Sequence, residues 1–335
     1  MSLRSKLRIR TRLRSMFHRI FPPEPKPLIL GYHRIADEAV DPWCLAVSPA
    51  HFEEQLRVLR RTRRPFPLTE FVDRLKAGEL PSNAVTLTFD DGYVDNLVAA
   101  KPRLSAAEVP ATVFLATGYL DRREPFWWDE LARLILSEDA PSSFELVVRG
   151  EAMRIDFDAG SPERAGGAIK SRHAALWRIR QALRRLEDEE RRPIMTKLAS
   201  IFAKRDRPGA LGRAMTSDEV RALVAEGLLA IGSHSVTHPM LAGLGAAACR
   251  REIDESKLAC EALIGAPVAA FAYPYGDFDT EVRDTVKAVG FAFACSAQHG
   301  PATAASDIFA LPRIHVTDMD GDAFEHALRL ASAAA

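Results

Sequence analysis

Asp90 and Asp91 stand side by side and are followed at once by Gly92, while His234 and His238 stand four residues apart. Adjacent carboxylates repel, so the pair calls for a cation, a shared proton or open solvent. Two imidazoles at that spacing on helical or turn-like backbone share one face and can grip a single ion. Two neutral imidazoles and a carboxylate make a three-ligand set for a divalent transition metal. Such a set leaves coordination positions for water and substrate, as catalytic rather than structural sites do. Each feature also has an ordinary alternative. Asp-Asp-Gly closes many strands as a turn, and histidine pairs serve as hydrogen-bonded structural groups.

The elements that deliver these residues decide between the readings. Val85, Leu87 and Phe89 alternate with Thr86, Thr88 and Asp90, the period of a strand. On a regular strand the two aspartates point to opposite faces, and Gly92 supplies the turn that brings both to one mouth. Leu28 to Tyr32 reads as a buried strand ending at His33, Ala111 to Ala116 as another, and Leu228 to Ser233 as the strand that delivers His234. Val268 to Tyr273, Phe291 to Ser296 and Leu311 to Val316 complete the set. A short extended piece, Phe66 to Leu68, precedes a helix opened by Thr69. Helical periods lie between the strands: Phe52, Leu56 and Leu59 after Ser48, and a capping box at Thr216 and Glu219. Apolar strands alternating with helices imply a parallel sheet covered by helices, here a closed or nearly closed (β/α) barrel of seven or eight strands. His33, Asp90, Asp91, His234, His238, Tyr275 and His315 all fall at C-terminal strand ends, where barrel sites are built.

The rhythm breaks at about 119–215, which reads as a mostly helical insertion. Phe144 to Val148 and Met153 to Phe157 flank Arg149-Gly150-Glu151 as a hairpin, and Ser161-Pro162-Glu163 reads as a helix start. A helical run holding Arg172, Arg178, Arg180, Arg184 and Arg185 follows; its ordinary reading is a solvated face. Trp127 and Trp128 suit a core or the wall of a sugar site. Trp127, with Tyr273 and Tyr275, is a candidate substrate-binding residue.

The 335 residues are 47% hydrophobic and 27% charged, with zero formal charge. The charge is uneven: residues 1–21 hold seven basic side chains and no acid, so the remainder is net acidic. That segment reads either as a basic amphipathic helix on an anionic membrane surface or as a solvated tail. No aromatic-interleaved basic patch follows it, which argues against nucleic acid. Pro22, Pro23, Pro25 and Pro27 make a stiff linker, so 1–27 stands apart from a barrel over 28–335. No apolar run is long enough for a membrane span, and no secretory signal is legible. Four scattered cysteines fit neither a zinc ribbon nor a disulfide framework. The expected location is the cytoplasm, with the inner membrane face as the variant.

Thr88-Phe89-Asp90-Asp91-Gly92 together with His234-Ser235-Val236-Thr237-His238 resembles the first two motifs of the polysaccharide deacetylases, the nodulation-B homology family of carbohydrate esterases. Phe271 to Gly276 resembles the third motif, and Leu311-Pro312-Arg313-Ile314 the late one. The resemblance implies a distorted (β/α) barrel and hydrolysis of N-acetyl groups on aminosugars. It implies that Asp91, His234 and His238 hold a divalent metal, zinc first and cobalt, manganese, iron or nickel as alternatives. It makes Asp90 the general base. Where the family commonly has an arginine that orients the base, this chain has Ala272; Arg313 is the candidate for that role. His33 is the candidate general acid, with His315 in reserve. Two other classes are considered: a non-catalytic carbohydrate-binding barrel, and a two-histidine, one-carboxylate iron oxygenase. The close pairing typical of the latter occurs only as His51-Phe52-Glu53, on a predicted helix.

Overall fold

The computed structural model describes residues 25–137, 141–157, 167–202 and 212–333. The readings of residues 1–21 and of Ser161 to Glu163 lie outside them. Among the described residues twelve strands are present: β1 Leu28–Tyr32, β2 Arg34–Ile35, β3 Ala46–Val47, β4 Arg64–Pro65, β5 Ala84–Phe89, β6 Ala111–Leu115, β7 Ser143–Val148, β8 Glu151–Asp156, β9 Leu229–Ser233, β10 Ala270–Ala272, β11 Phe293–Cys295 and β12 Ile314–His315. The α-helices are α1 Pro49–Thr62, α2 Leu68–Ala77, α3 Lys101–Ala107, α4 Trp127–Leu136, α5 Gly167–Leu183, α6 Asp188–Ile201, α7 Ser217–Val224, α8 Ala246–Ile264, α9 Thr280–Ala288 and α10 Gly321–Ala333.

One parallel sheet runs β11-β10-β9-β6-β5-β1-β12, with β4 paired to the start of β5. Leu311 bridges to Cys295, and β12 pairs with β1 through Leu30 and Ile314. One segment thus touches both the last and the first strand, and the sheet curls round into the expected distorted (β/α) barrel. The late strands are shorter than the apolar runs that announced them, mostly at their starts: β10 begins at Ala270, β11 at Phe293 and β12 at Ile314. The first connection also differs: the extended residues are Arg64–Pro65, and α2 begins at Leu68 behind Pro67.

Alternation sorts each strand. Leu28, Leu30, Val85, Leu87, Val113 and Leu115 face the surrounding helices, in the largest apolar cluster. Ile29, Phe114, Ala272, Phe293, Cys295 and Leu311 form a second cluster with α2 side chains. Local rules place the helices. Ser48 Oγ accepts the His51 N–H to cap α1, with Pro49 in its first turn. Thr216 and Glu219 close a reciprocal capping box on α7.

The insertion has its own core. Trp128, Leu131 and Ile135 of α4 pack with Phe144 and Leu146 of β7, with Leu176, Ile179 and Leu183 of α5, and with Leu198 of α6. The hairpin β7-β8 turns at Arg149-Gly150, both at positive φ (49° and 82°), as short hairpin turns require. The bridge from Tyr93 to Ala214 ties the insertion to the barrel mouth, and that from Pro125 to Arg213 joins the insertion's two ends.

Candidate active site

Strand β5 ends at Phe89, and the chain then enters a tight reversal. Asp91 takes φ 72° and Gly92 φ 82°, with the Gly92 N–H donating to the Asp90 carbonyl at 2.9 Å. The left-handed turn therefore begins at Asp91 itself, a residue type that tolerates this region. Both carboxylates end up buried at the mouth.

His234 and His238 leave β9 on a loop whose backbone is fastened at several points. The Glu252 carboxylate of α8 accepts N–H bonds from Val236 and Thr237, each at 2.8 Å, and the Thr237 hydroxyl at 2.6 Å. Ser235 Oγ accepts the His238 N–H at 3.0 Å. Gly118 donates to the Val236 carbonyl at 2.8 Å; a Cβ at Gly118 would lie 2.8 Å from that oxygen, so only glycine fits the approach. His234 Nδ1 donates to the Ala272 carbonyl at 2.7 Å. That bond fixes the tautomer and leaves Nε2 with its lone pair towards Asp91, 3.6 Å from Oδ1. His238 Nε2 lies 3.4 Å from the same oxygen.

One donor atom from each of Asp91, His234 and His238 lies within 4.8 Å of the others, and all three residues are buried. Asp91 Oδ1 has no hydrogen-bond partner. Burial, and then the adjacent charge of Asp90, push the Asp91 carboxyl well above the ordinary range. Burial holds both imidazoles neutral, with His238 well below its ordinary value. Neutral imidazoles and a carboxylate that lacks a donor are what a divalent cation needs, so these residues fit one.

Asp90 is held differently. Arg313 grips both its oxygens, Nη1 to Oδ1 and Nη2 to Oδ2, each at 2.7 Å. The same guanidinium donates to the Ser296 carbonyl at 3.0 Å and to Thr88 Oγ1 at 3.1 Å. Burial opposes ionisation of Asp90, but the Arg313 charge outweighs it and holds the carboxyl well below its usual range. Gly31, paired with Thr88 and His315, lies beside the guanidinium, where an added Cβ would meet Arg313 Nη1 at 3.7 Å, an ordinary contact. His33 Nε2 lies 3.9 Å from Asp90 Oδ2, and burial lowers its pKa to about 3. His315 packs edge-on to His33, 5.4 Å between centroids, and donates from Nε2 to the Cys44 carbonyl at 3.1 Å.

These groups line one cavity of about 320 Å³. Tyr273 and Tyr275 are on its wall. The Tyr273 hydroxyl is spent on the Phe309 carbonyl at 2.8 Å, whereas Tyr275 Oη is buried with no partner. Trp127 is elsewhere: it lines a separate cavity under the Arg191 guanidinium, 5.0 Å from the ring. Its neighbour Trp128 takes the wall position and packs 4.8 Å from the His238 ring. Consecutive helical residues point about 100° apart, so a dipeptide on α4 could supply only one of them. His51 and Glu53 belong to the outer surface of α1, paired with Asp318 and Arg103.

Four cavity or loop residues carried no individual signal in the sequence. Glu252 is one acid among several on α8. Trp128 was indistinguishable from Trp127. Arg180 and Arg184 lay inside an arginine-rich run, though their four-residue spacing already marked one helical face.

A family model described as polysaccharide deacetylase matches residues 77–140 and 197–294, and the gap between the two stretches falls inside the insertion. Over 84 residues, 24% of this chain, the sequence is 33% identical to the poly-beta-1,6-N-acetyl-D-glucosamine N-deacetylase of Escherichia coli K12; the match spans 12% of that protein. The fold is similar to that of Streptococcus pyogenes deacetylase PplD in complex with acetate, with a TM-score of 0.58, 18% identity, and 92% of this chain and 99% of that one covered. It is similar as well to IcaB from Ammonifex degensii, with a TM-score of 0.58, 17% identity, and coverage of 92% and 97%. Among the described residues no helix is long and apolar enough to cross a membrane.

Proposed function

The chain belongs to the polysaccharide deacetylase family, and on that premise we propose that it is a metal-dependent hydrolase that removes N-acetyl groups from aminosugars of a glycan. One observation carries the reading: Asp91, His234 and His238 converge within 4.8 Å in the cavity that also holds the Asp90–Arg313 pair. Asp91 and one ring nitrogen from each histidine would hold the ion, with zinc the first choice for this donor set. When bound, the ion polarises the amide carbonyl and lowers the pKa of water from 15.7 to about 7.

The chain's own residues do the rest. Asp90 accepts the proton of the attacking water. Arg313 fixes the carboxylate's orientation, and each oxygen keeps a lone pair beyond the one it gives to the guanidinium. His33 delivers a proton to the departing amine. Its ring is neutral, so it must first take one, and Asp90 at 3.9 Å is the neighbour placed to pass it on. His315 is the alternative donor. Glu252 keeps the two histidines in register by holding the loop between them.

Acetate release from an N-acetylglucosamine oligomer tests the proposal. The expected outcome is release that stops with a chelator and returns with zinc, cobalt or manganese. Release unaffected by exhaustive chelation, or sugar binding with no release under any metal, would overturn it; the second result is the one a non-catalytic barrel predicts.

A further inference from the structure

Helix α5 of the insertion and the turn that follows it send Arg180 and Arg184 into the catalytic cavity, while Arg178 and Arg185 are exposed. The two cavity arginines differ from the other cations nearby. Arg191 and Arg192 pair with Asp188, Arg149 with Glu190, and Arg313 with Asp90. Among the described residues Arg180 and Arg184 form no ion pair, and the Nε of each is buried with no hydrogen-bond acceptor. Aromatic faces hold them instead. The Arg180 guanidinium lies 4.4 Å from the Trp43 ring and 5.5 Å from Tyr275, and Arg184 lies 6.0 Å from Tyr275. The Tyr275 hydroxyl, buried beside them, also lacks a partner.

Unpaired charge in a confined cavity is costly unless something supplies the counter-charge. A guanidinium presents a planar fork of donors matched to phosphate and carboxylate oxygens. Two forks on one helical face, with a hydroxyl donor between aromatic walls, suit one tetrahedral dianion. A carboxylate would balance only one of the two charges.

We propose that Arg180, Arg184 and the Tyr275 hydroxyl form an anion subsite that takes a phosphoryl group of the substrate. The preferred substrate is then an N-acetylated aminosugar carrying phosphate, as ester or glycosyl phosphate, rather than a neutral oligosaccharide. This rests on the deacetylase reading and gives it a substrate class.

The test uses the full-length, zinc-loaded protein. Calorimetry compares N-acetylglucosamine 1-phosphate with methyl N-acetylglucosaminide for wild type, Arg184→Gln, Arg180→Gln and the double Arg→Lys variant, each checked for an unchanged melting temperature. Wild type is expected to bind the phosphate at least about tenfold more tightly than the neutral sugar, the worth of one charge-assisted contact. Each glutamine variant should lose most of that preference, and the lysine pair should keep part of it. Arg184, farther from the aromatic stack, is the variant to rely on if Arg180→Gln does not fold. Equal preference in wild type and Arg184→Gln would overturn the subsite. Deacetylation assays separate the two readings. No acetate from any sugar with phosphate binding intact sinks the activity alone, whereas equal kcat/KM for neutral and phosphorylated sugars sinks the subsite alone. A long-chain alkyl N-acetylglucosaminyl phosphate in micelles, run against the soluble sugar phosphate, tells whether the phosphate belongs to a lipid-linked or a free sugar.

Discussion

Arg313 on the barrel and Arg180 on the insertion face the same cavity, yet their surroundings are opposite. Arg313 donates to two carboxylate oxygens, a carbonyl and a hydroxyl, and is buried. Arg180 stacks on Trp43 and Trp177 and has no anion within ion-pair reach among the described residues. On the barrel Asp90 is paired with Arg313, His234 is bonded to the Ala272 carbonyl, and Asp91 is aimed at the neutral imidazoles. A carboxylate–guanidinium pair neutralised internally, such as Asp90 with Arg313, holds its geometry before any substrate arrives. The insertion pairs Arg149, Arg191 and Arg192 with its own acids but leaves Arg180 and Arg184 without an ion pair among the described residues. On the proposed reading, one fold carries the chemistry at its strand ends and the selection on the insertion.

The barrel side of that contrast breaks most sharply at the aspartates. Asp90→Asn should lower kcat by roughly 10²–10⁴-fold, the worth of a placed base, with metal content by elemental analysis unchanged. Asp91→Asn should lose bound metal itself. If both variants keep the metal and lose activity equally, the division of roles between the neighbours is wrong.

Glu252 is the next test. Glu252→Ala strands the Val236 and Thr237 N–H groups and frees the loop between the histidines. Metal affinity should fall about 10–100-fold, the usual worth of a group behind the ligands, with partial rescue by Glu252→Gln. Competition with a chelator of known affinity measures it; unchanged affinity would show that barrel packing alone holds the ligands.

The smallest expected effect lies at the seam between the two regions. Arg213, at the insertion's end, meets both oxygens of Glu219, each at 2.7 Å, at the start of α7. The hydrogen bond from Arg213 lowers the Glu219 pKa. Because the folded value lies below the unfolded one, the stabilisation is present above the ordinary glutamate pKa and is lost as pH falls through the folded value. Glu219→Gln should cost about 1 kcal/mol at pH 7, the scale of a helix cap with a partly exposed ion pair. The gap between variant and wild type in urea unfolding should close in acid. A gap that widens in acid would contradict the assignment.

Much of this was legible in the chain itself. Val85 to Asp90 alternates because one face meets helices and the other the barrel interior, and that periodicity needs no tertiary information. The Thr216–Glu219 box and the Arg149-Gly150 turn are local bonds between near neighbours, readable for the same reason. Trp127 and Trp128 are both bulky aromatics on one helix, and only the direction in which α4 packs decides that Trp128, not Trp127, reaches the cavity of the aspartates and histidines.

The sequence determined the chemistry: two aspartates at a strand end, two histidines four apart, and an arginine near the end of another strand. The tertiary structure decided how the charges are distributed. It gave Asp90 to Arg313, 223 positions away, and fastened the histidine loop to Glu252. It turned Arg180 and Arg184 inward from a run that reads as a solvated face. Those choices depend on which surfaces the closing barrel and the packed insertion bring within a few ångströms, and no local pattern records that distance.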